Sequence, residues 1–217
     1  MIGRLLFTIL LIVFVPAAYS QGPRHATPDQ GVYDIIALKL KAGDTKIDFR
    51  ALRVAYADSK EALAAGSSHL TRRAMNTALL NRQFDETIRI GLDILRTVYI
   101  SPDTHAAVSS AYRELGDTQK AEFHKTIYLG LINSIITAGD GKAPETAYHV
   151  VTTEEEYALL RALGLSVWGQ EIVNHGGRWY ETLSATNTKT NQTMKVWFNI
   201  DIPRSVHTRT AVVKPSL

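Results

Sequence analysis

The sequence contains no cysteine in its 217 residues. This absence excludes a disulfide framework, a thiolate metal site, a cysteine nucleophile and the lipid-modified cysteine of bacterial lipoproteins. An exported chain without disulfides must be stabilised by its apolar core, and 45% of the residues are apolar. This composition favours a bacterial envelope protein over a small eukaryotic secreted domain.

The sequence also lacks a cluster of basic residues. Residues 21–146 carry 16 basic and 15 acidic side chains, and residues 147–217 carry 7 and 6. Binding to nucleic acid depends on a concentrated basic surface that neutralises several phosphates. The near balance of charge in both parts therefore predicts that nucleic acid is not a partner.

No complete catalytic, cofactor or metal-binding motif occurs in the sequence. None of the seven histidines lies four residues from another, as a helical zinc site requires. The Gly139–Gly141 turn lacks the alternating acidic ligands of a calcium loop and the glycine spacing of a phosphate loop. We therefore predict no catalytic residue, cofactor or metal ion. The sequence leaves open a metal site assembled from distant residues such as His149, His175 and Asp201.

The first 20 residues have the three parts of a secretory signal peptide. Arg4 precedes an apolar run, residues 5–15, and small residues follow up to Ser20. We predict cleavage after Ser20, a periplasmic or secreted location and no membrane span in the cleaved chain. The alternative is an uncleaved anchor, although the apolar run is shorter than the ~20 residues that a spanning helix needs. Residues 21–31 are polar and contain two prolines, which predicts a flexible lead-in.

Residues 32–138 are predicted to form a domain of helical hairpins, because apolar residues recur there at helical spacing. Asp48 is suited to cap the N-terminus of a helix that continues to Gly66. Two hairpins of paired helices follow, over residues 67–99 and 101–138.

A 34-residue offset relates the two hairpins. Ala78 aligns with Tyr112, and Thr87 aligns with Ala121. Tetratricopeptide-type repeats have this period, and each of their helix pairs buries its apolar face by stacking on its neighbour. The pattern predicts two degenerate tetratricopeptide-like repeats, with an ordinary helical bundle as the alternative.

Residues 139–203 are predicted to form a second domain, in which a strand and a helix precede a β-meander. The short strand lies at residues 147–151, and three longer segments rich in β-branched and aromatic residues follow the helix. Turns of hairpin length between these segments predict antiparallel pairing. The predicted fold class is α+β, with N-terminal helical hairpins followed by a small antiparallel β-sheet with one helix. Residues 204–217 are predicted to be a polar tail.

Three consecutive glutamates follow Thr153. Thr152 or Thr153 is suited to cap the helix, and Thr153 with Glu156 matches a capping box. Carboxylates in the first turn of a helix interact favourably with its dipole. Successive residues on a helix point about 100° apart, so neighbouring carboxylates do not converge on one substrate. We therefore predict a structural role for these glutamates rather than a catalytic one.

Aromatic and polar residues of the predicted strands form a candidate binding surface. Trp168 and Gln170 are expected to share a sheet face with Trp179 across a hairpin. Gln170 and Asp201 are polar residues inside apolar segments, which indicates specific hydrogen bonds. The predicted surface comprises Trp168, Gln170, Trp179, Tyr180 and Asp201. The alternative is that the aromatic residues pack the sheet against the helices.

Several motifs occur in an order that resembles one family. They are IDFRALRVAYADS (residues 47–59), GDGKAPETAYHVVTTEEEYALLRALGL (residues 139–165), Gly169-Gln170, Gly177 to Tyr180, and Phe198-Asn199-Ile200-Asp201. The sequence is similar to a family of bacterial envelope proteins that is catalogued only as a domain of unknown function, number 4919. The resemblance implies an exported protein with a helical half and a C-terminal β-rich half. It implies no activity and no catalytic residues.

Two functions are consistent with these features. The first is a non-catalytic interaction module of the bacterial envelope with a protein or peptide partner, because paired helical hairpins commonly present a groove. The second is an envelope hydrolase with a site between the helical and β-rich halves, based on the polar strand residues Gln170, Glu171 and Asp201 and on the scattered histidines. We favour the interaction module, and the sequence does not determine its oligomeric state.

Overall fold

The computed structural model describes residues 31–65 and 69–213, and the side chains of residues 31–65 and 69–209. The predicted signal peptide, residues 1–20, and the predicted lead-in before Gly31 lie outside these residues. Among the helices that the structure describes, none is long and apolar enough to cross a membrane.

Three short helices open the described chain: α1 (Val32–Lys41), α2 (Phe49–Tyr56) and α3 (Lys60–Ala64). The predicted cap of α2 is confirmed, because the Asp48 carboxylate accepts a hydrogen bond from the backbone N–H of Ala51 at 2.9 Å. The prediction of one helix that continues to Gly66 is wrong. The Ser59 hydroxyl accepts a hydrogen bond from the backbone N–H of Ala62 at 3.1 Å and begins a separate helix, α3.

The two predicted helix pairs follow: α4 (His69–Leu80) with α5 (Phe84–Thr97), and α6 (Pro102–Glu114) with α7 (Thr118–Ile136). Gly91 allows α5 and α6 to pack closely, because a Cβ at this position would lie 2.3 Å from Val108 Cγ2. The first helices of the two pairs, α4 and α6, also contact each other. The pairs therefore stack side by side.

The β-rich half consists of β1 (Tyr148–His149), α8 (Thr153–Ala162), β2 (Leu165–His175), β3 (Arg178–Asn187) and β4 (Thr193–Asn199). The strand order is β1-β4-β3-β2, and β2, β3 and β4 form the predicted antiparallel meander. The sheet as a whole is mixed, because β1 pairs in parallel with β4, with Tyr148 opposite Phe198. The strands β1 and β2 lie at opposite edges of the sheet and run in the same direction. The helix α8 forms the crossover connection between them.

The prediction of a polar tail from residue 204 is wrong for the described part of that segment. Residues Asp201–Val213 form a helix, α9. Ile202 and Val206 are four residues apart on this helix and pack against the apolar core of the helical half. Arg209 donates hydrogen bonds to the Asp58 carboxylate and to the Ala57 carbonyl, each at 2.8 Å. The C-terminal segment therefore folds back onto the N-terminal helices.

Two apolar cores lie on either side of the central helix α7. Ile127 and Leu131 belong to the core of the helical half, whereas Ile132 and Ile135 belong to the core beneath the sheet. The C-terminal half of α7 is apolar nearly all round in the sequence, which predicts a buried central helix. Its contacts with both cores explain this apolar character.

Candidate functional site

A groove of about 820 Å³ lies between α4, α6 and α8, and we call it the helical groove. Because α4 and α6 are the first helices of two stacked pairs, they lie on the same side of the stack. Buried side chains of Met75 and Ala107 form part of its lining. The other lining residues are His69, Arg72, Arg73, Asn76, Thr77, Leu79, Leu80, Asp103, Ala106, Ser110, Glu154, Tyr157 and Arg161.

Charged side chains from all three helices line the helical groove. Arg72 of α4 forms an ion pair with Glu154 of α8. Arg161 of α8 forms an ion pair with Asp103 of α6, and its Nε lies 3.3 Å from Asp103 Oδ1. Arg73 of α4 has no carboxylate partner among the described residues. The lining thus carries three arginines and two carboxylates, so its formal charge is positive.

The two carboxylates of the helical groove occupy the first turns of their helices. Asp103 lies in the first turn of α6, directly after Pro102, and Glu154 lies in the first turn of α8. Proline suits the first position of a helix, and an acidic side chain there interacts favourably with the helix dipole. Their ion pairs join α8 to α4 and to α6, so these pairs help to set the width of the groove.

The three consecutive glutamates point to three different environments, as the helical geometry predicts. Glu154 faces the helical groove, Glu155 is buried in an ion pair with Arg53, and Glu156 is buried beneath the sheet. The helix is capped at Thr152, one of the two predicted positions, without a side-chain hydrogen bond. The predicted capping box of Thr153 with Glu156 is therefore wrong. A structural role fits Glu155, whereas Glu154 belongs to the candidate site.

Glu156 and Glu181 form a buried carboxyl pair that no sequence motif predicts. Among the described residues, both oxygens of Glu156 and Oε1 of Glu181 lack a hydrogen-bond partner. Burial, and then the neighbouring Glu181 carboxyl, raise the pKa of Glu156 to about 9, so Glu156 holds a proton at neutral pH. The signal in the sequence is alternation along β3, which places Glu181 on the same face as the buried residues Leu183 and Ala185. Neither glutamate lines the helical groove.

The predicted binding surface is divided between two parts of the sheet. Trp168 lies at a β-bulge in β2 and is 67% exposed. Gln170 accepts a hydrogen bond at 3.2 Å from the hydroxyl of Tyr157, a residue that also lines the helical groove. Ser184, which faces the bulge, is five residues from Trp179 along β3, or roughly 17 Å in an extended strand. The structure therefore does not bring Trp168 to Trp179.

Trp179, Tyr180 and Asp201 lie together near the start of α9 but do not form one surface. The backbone N–H of Trp179 donates to the Asp201 carboxylate at 2.9 Å. The guanidinium of Arg204 lies over the Trp179 ring, 4.1 Å from its centroid. Tyr180 is buried and its ring contacts the ring of Trp197. It does not share a face with Trp179, because adjacent strand residues point to opposite faces of the sheet. The predicted specific hydrogen bond of Asp201 is confirmed, and it is internal to the protein.

The metal site that the sequence left open is not assembled. Within residues 31–65 and 69–209, no three histidine, aspartate or glutamate side chains are placed to hold a metal ion. His175 lies near Glu145, with 3.7 Å between Nε2 and Oε1, and Asp201 is engaged with Trp179.

One family model matches residues 47–209, and its description is "Domain of unknown function (DUF4919)". The chain belongs to this family. The resemblance of the sequence motifs is therefore confirmed, and the matched region includes the helical groove and the whole sheet. No curated protein and no solved structure matches the chain.

Proposed function

We propose that this protein is a non-catalytic module of the bacterial envelope that binds an extended acidic peptide segment of a partner protein. The helical groove between α4, α6 and α8 is the binding site. The observation that carries the proposal is the convergence of three helices, two of them from stacked helix pairs, on one groove with a positively charged lining.

The dimensions of the helical groove support this proposal. Its volume of about 820 Å³ lies within the range of roughly 300–1,000 Å³ that is typical of ligand-binding clefts. Stacked helix pairs of repeat proteins use such concave surfaces to bind peptides. Leu80 at one end of α4 is 83% exposed and offers an apolar contact beside the charged lining.

The charges in the helical groove support an acidic ligand. Arg72 and Arg161 are each neutralised by a carboxylate, whereas Arg73 has none among the described residues. A carboxylate of the peptide would pair with the Arg73 guanidinium, and charge-assisted hydrogen bonds of this kind are strong and directional. Long-range attraction would also accelerate association at low ionic strength.

The alternative of an envelope hydrolase gains no support from the three polar strand residues on which it was partly based. Gln170 bonds to Tyr157, Glu171 lies 3.3 Å from Lys195 Nζ, and Asp201 bonds to the backbone of Trp179. General acid–base catalysis needs such groups to converge on one reacting atom. These three have separate structural partners.

The proposed envelope location rests on the N-terminal pattern of residues 1–20, which is typical of a secretory signal peptide. The absence of cysteine suits a bacterial envelope protein better than a small eukaryotic secreted domain. A fusion of residues 1–20 to a reporter enzyme that is active only after export tests the location directly.

Selection from a displayed library of random peptides, followed by fluorescence anisotropy with the selected peptides, tests the proposed binding. We expect enrichment of acidic sequences and a Kd that increases about tenfold or more in an Arg73→Glu variant, because repulsion replaces an ion pair. The matched control is Arg113→Glu, an exposed arginine of α6 outside the groove lining. Equal affinity of the Arg73→Glu variant and the unmodified protein contradicts the proposal.

A further inference from the structure

A second, smaller cavity lies where the helical half meets the β-rich half. Its volume is about 140 Å³, and its lining comes from α2, α7, β1 with the residues after it, and α9. We call it the junction cavity. Its charged and polar lining residues are Arg50, Arg53, Ser134 and His149.

Arg53 lines this cavity and has one hydrogen-bond donor without an acceptor among the described residues. Its side chain is 2% exposed, and its guanidinium carries five N–H groups. Four of them donate to the two oxygens of Glu155, to the Ser134 hydroxyl and to the His149 carbonyl, at 2.7 to 3.2 Å. The second N–H of Nη1 has no acceptor among the described residues. A buried donor of this kind costs free energy unless a ligand or water accepts its hydrogen bond.

The charges around the junction cavity are predominantly positive. Arg53 is neutralised by Glu155, but Arg50 and, on β3, Arg178 have no carboxylate partner among the described residues. Burial, followed by the charges of Arg50, Arg178 and Arg53, lowers the pKa of His149, and Asp201 opposes this effect. Three arginines therefore act on the same imidazole, and one of them, Arg53, is neutralised by Glu155.

We propose that the junction cavity is a binding site for a small oxyanion of the size of sulfate or phosphate, either free or as the terminal group of a larger ligand. The anion accepts a hydrogen bond from the free N–H of Arg53 and pairs with Arg50 at the mouth of the cavity. His149, when protonated, is the third donor.

The size of the junction cavity restricts the ligand. Clefts for drug-sized ligands have volumes of roughly 300 Å³ or more. A cavity of about 140 Å³ instead accommodates a small ion or a single functional group. Arginine is suited to this role because its planar guanidinium matches the geometry of oxyanions.

Titration of the purified protein with sodium sulfate, monitored by NMR of the histidine side chains at pH 6, tests this proposal. Sodium chloride at matched ionic strength is the reference. Sulfate is the first probe because its charge does not change in this pH range. We expect saturable 1:1 binding that shifts the His149 resonances, and affinity that increases as the pH falls through the pKa of His149.

An Arg50→Gln variant is expected to weaken sulfate binding about tenfold, because it removes one charge-assisted hydrogen bond. Arg50 is exposed, so this variant is expected to fold. Arg113→Gln, which removes an arginine outside the cavity lining, should leave the affinity unchanged. Non-saturating shifts equal to those in chloride, or equal affinity of the Arg50→Gln variant and the unmodified protein, overturn the proposal and leave the cavity as a site for ordered water.

Inorganic phosphate and glycerol phosphate then distinguish the two sources of the anion. Binding of both identifies the terminal phosphate of a larger ligand as an acceptable occupant. Binding of inorganic phosphate alone identifies the free ion. Both results support the oxyanion site.

Discussion

Arg53 and Glu155 connect the two halves of the protein through a buried bidentate ion pair. The Nε–Oε1 and Nη2–Oε2 distances are both 2.7 Å, and the Glu155 side chain is fully buried. Oε2 of Glu155 also accepts a hydrogen bond from the backbone N–H of Val151 at 2.7 Å. The ion pair thus fixes α2 against α8, and the bond from Val151 fixes the segment directly before α8.

Removal of one member of this pair should destabilise the protein strongly. An Arg53→Met variant is expected to lose about 3–5 kcal/mol of unfolding free energy, because it leaves the Glu155 carboxylate buried without its partner. Urea denaturation followed by circular dichroism measures this loss. The Arg53→Met/Glu155→Met double variant should recover part of it, since both charges are then absent. A double variant less stable than the single variant would contradict this explanation.

Substitution of Glu156 should stabilise the protein at neutral pH. The folded-state pKa of Glu156 is raised from 4.5 to about 9, so its contribution to stability is complete below pH 4.5 and is lost as the pH rises toward 9. Glutamine resembles the protonated acid and does not titrate. We expect Glu156→Gln to increase the unfolding free energy at pH 7, with a difference that widens up to pH 9. The control is Glu145→Gln at an exposed position, which should not show this dependence.

Two buried histidines should cause a loss of stability in mild acid. His105 Nε2 lies 2.9 Å from the Tyr99 carbonyl, which can only accept, so this nitrogen carries the hydrogen. His105 Nδ1 therefore accepts from His124 Nδ1 at 2.9 Å. Burial, and then the neighbouring His124, lower the pKa of His105 from 6.5 to about 3, and burial lowers that of His124 to about 4.

Because both pKa values are depressed, the unfolded chain binds protons below pH 6.5 before the folded protein does. The unfolding free energy should decrease below this pH, by up to about 1.4 kcal/mol per pH unit for His105. Denaturation between pH 4 and 8 in a Glu156→Gln background removes the largest opposing contribution, since the raised pKa of Glu156 acts in the opposite direction. A His105→Gln/His124→Gln variant should show a flatter profile, and an unchanged profile would exclude these residues as its cause.

Gly130 on α7 should not tolerate a side chain. A Cβ at this position would lie 2.3 Å from the ring of Phe49 on α2. We expect Gly130→Ala to lower the unfolding free energy by about 1–3 kcal/mol through overpacking. The Phe49→Leu/Gly130→Ala double variant should recover part of this loss, because leucine makes room for the methyl group. Purely additive losses would show that the two residues are not coupled.

The helices and the meander were predictable because their signals are local. Asp48 caps α2 as expected, and the boundaries of α4 to α7 follow the hydrophobic period, Pro102 and the turn at Gly116. The β-branched and aromatic residues of β2, β3 and β4 predict strands, and the hairpin-length turns between them predict their antiparallel pairing. The motifs around residues 139–165 were sufficient to identify the family.

The contacts between distant segments were not predictable in the same way. The parallel pairing of β1 with β4, and the packing of Ile202 and Val206 on the helical core, depend on the path of the chain in three dimensions. Positions 154 to 156 all carry glutamate, so residue type alone does not distinguish them. Their tertiary contacts make Glu154 a groove residue, Glu155 a member of a buried ion pair and Glu156 a protonated acid. The helical groove itself requires the stacking of α4, α6 and α8, which no single segment specifies.

Site-specific photo-crosslinking in the native cells tests the proposed binding groove most directly. A photoreactive amino acid at Asn76, in the groove lining, is compared with the same amino acid at Gln119, an exposed position of α7 outside it. We predict a crosslink from Asn76 to an acidic segment of one partner protein, competed by an excess of the selected peptide, and no such crosslink from Gln119. Equal crosslinking from both positions, or none from Asn76, would contradict the account.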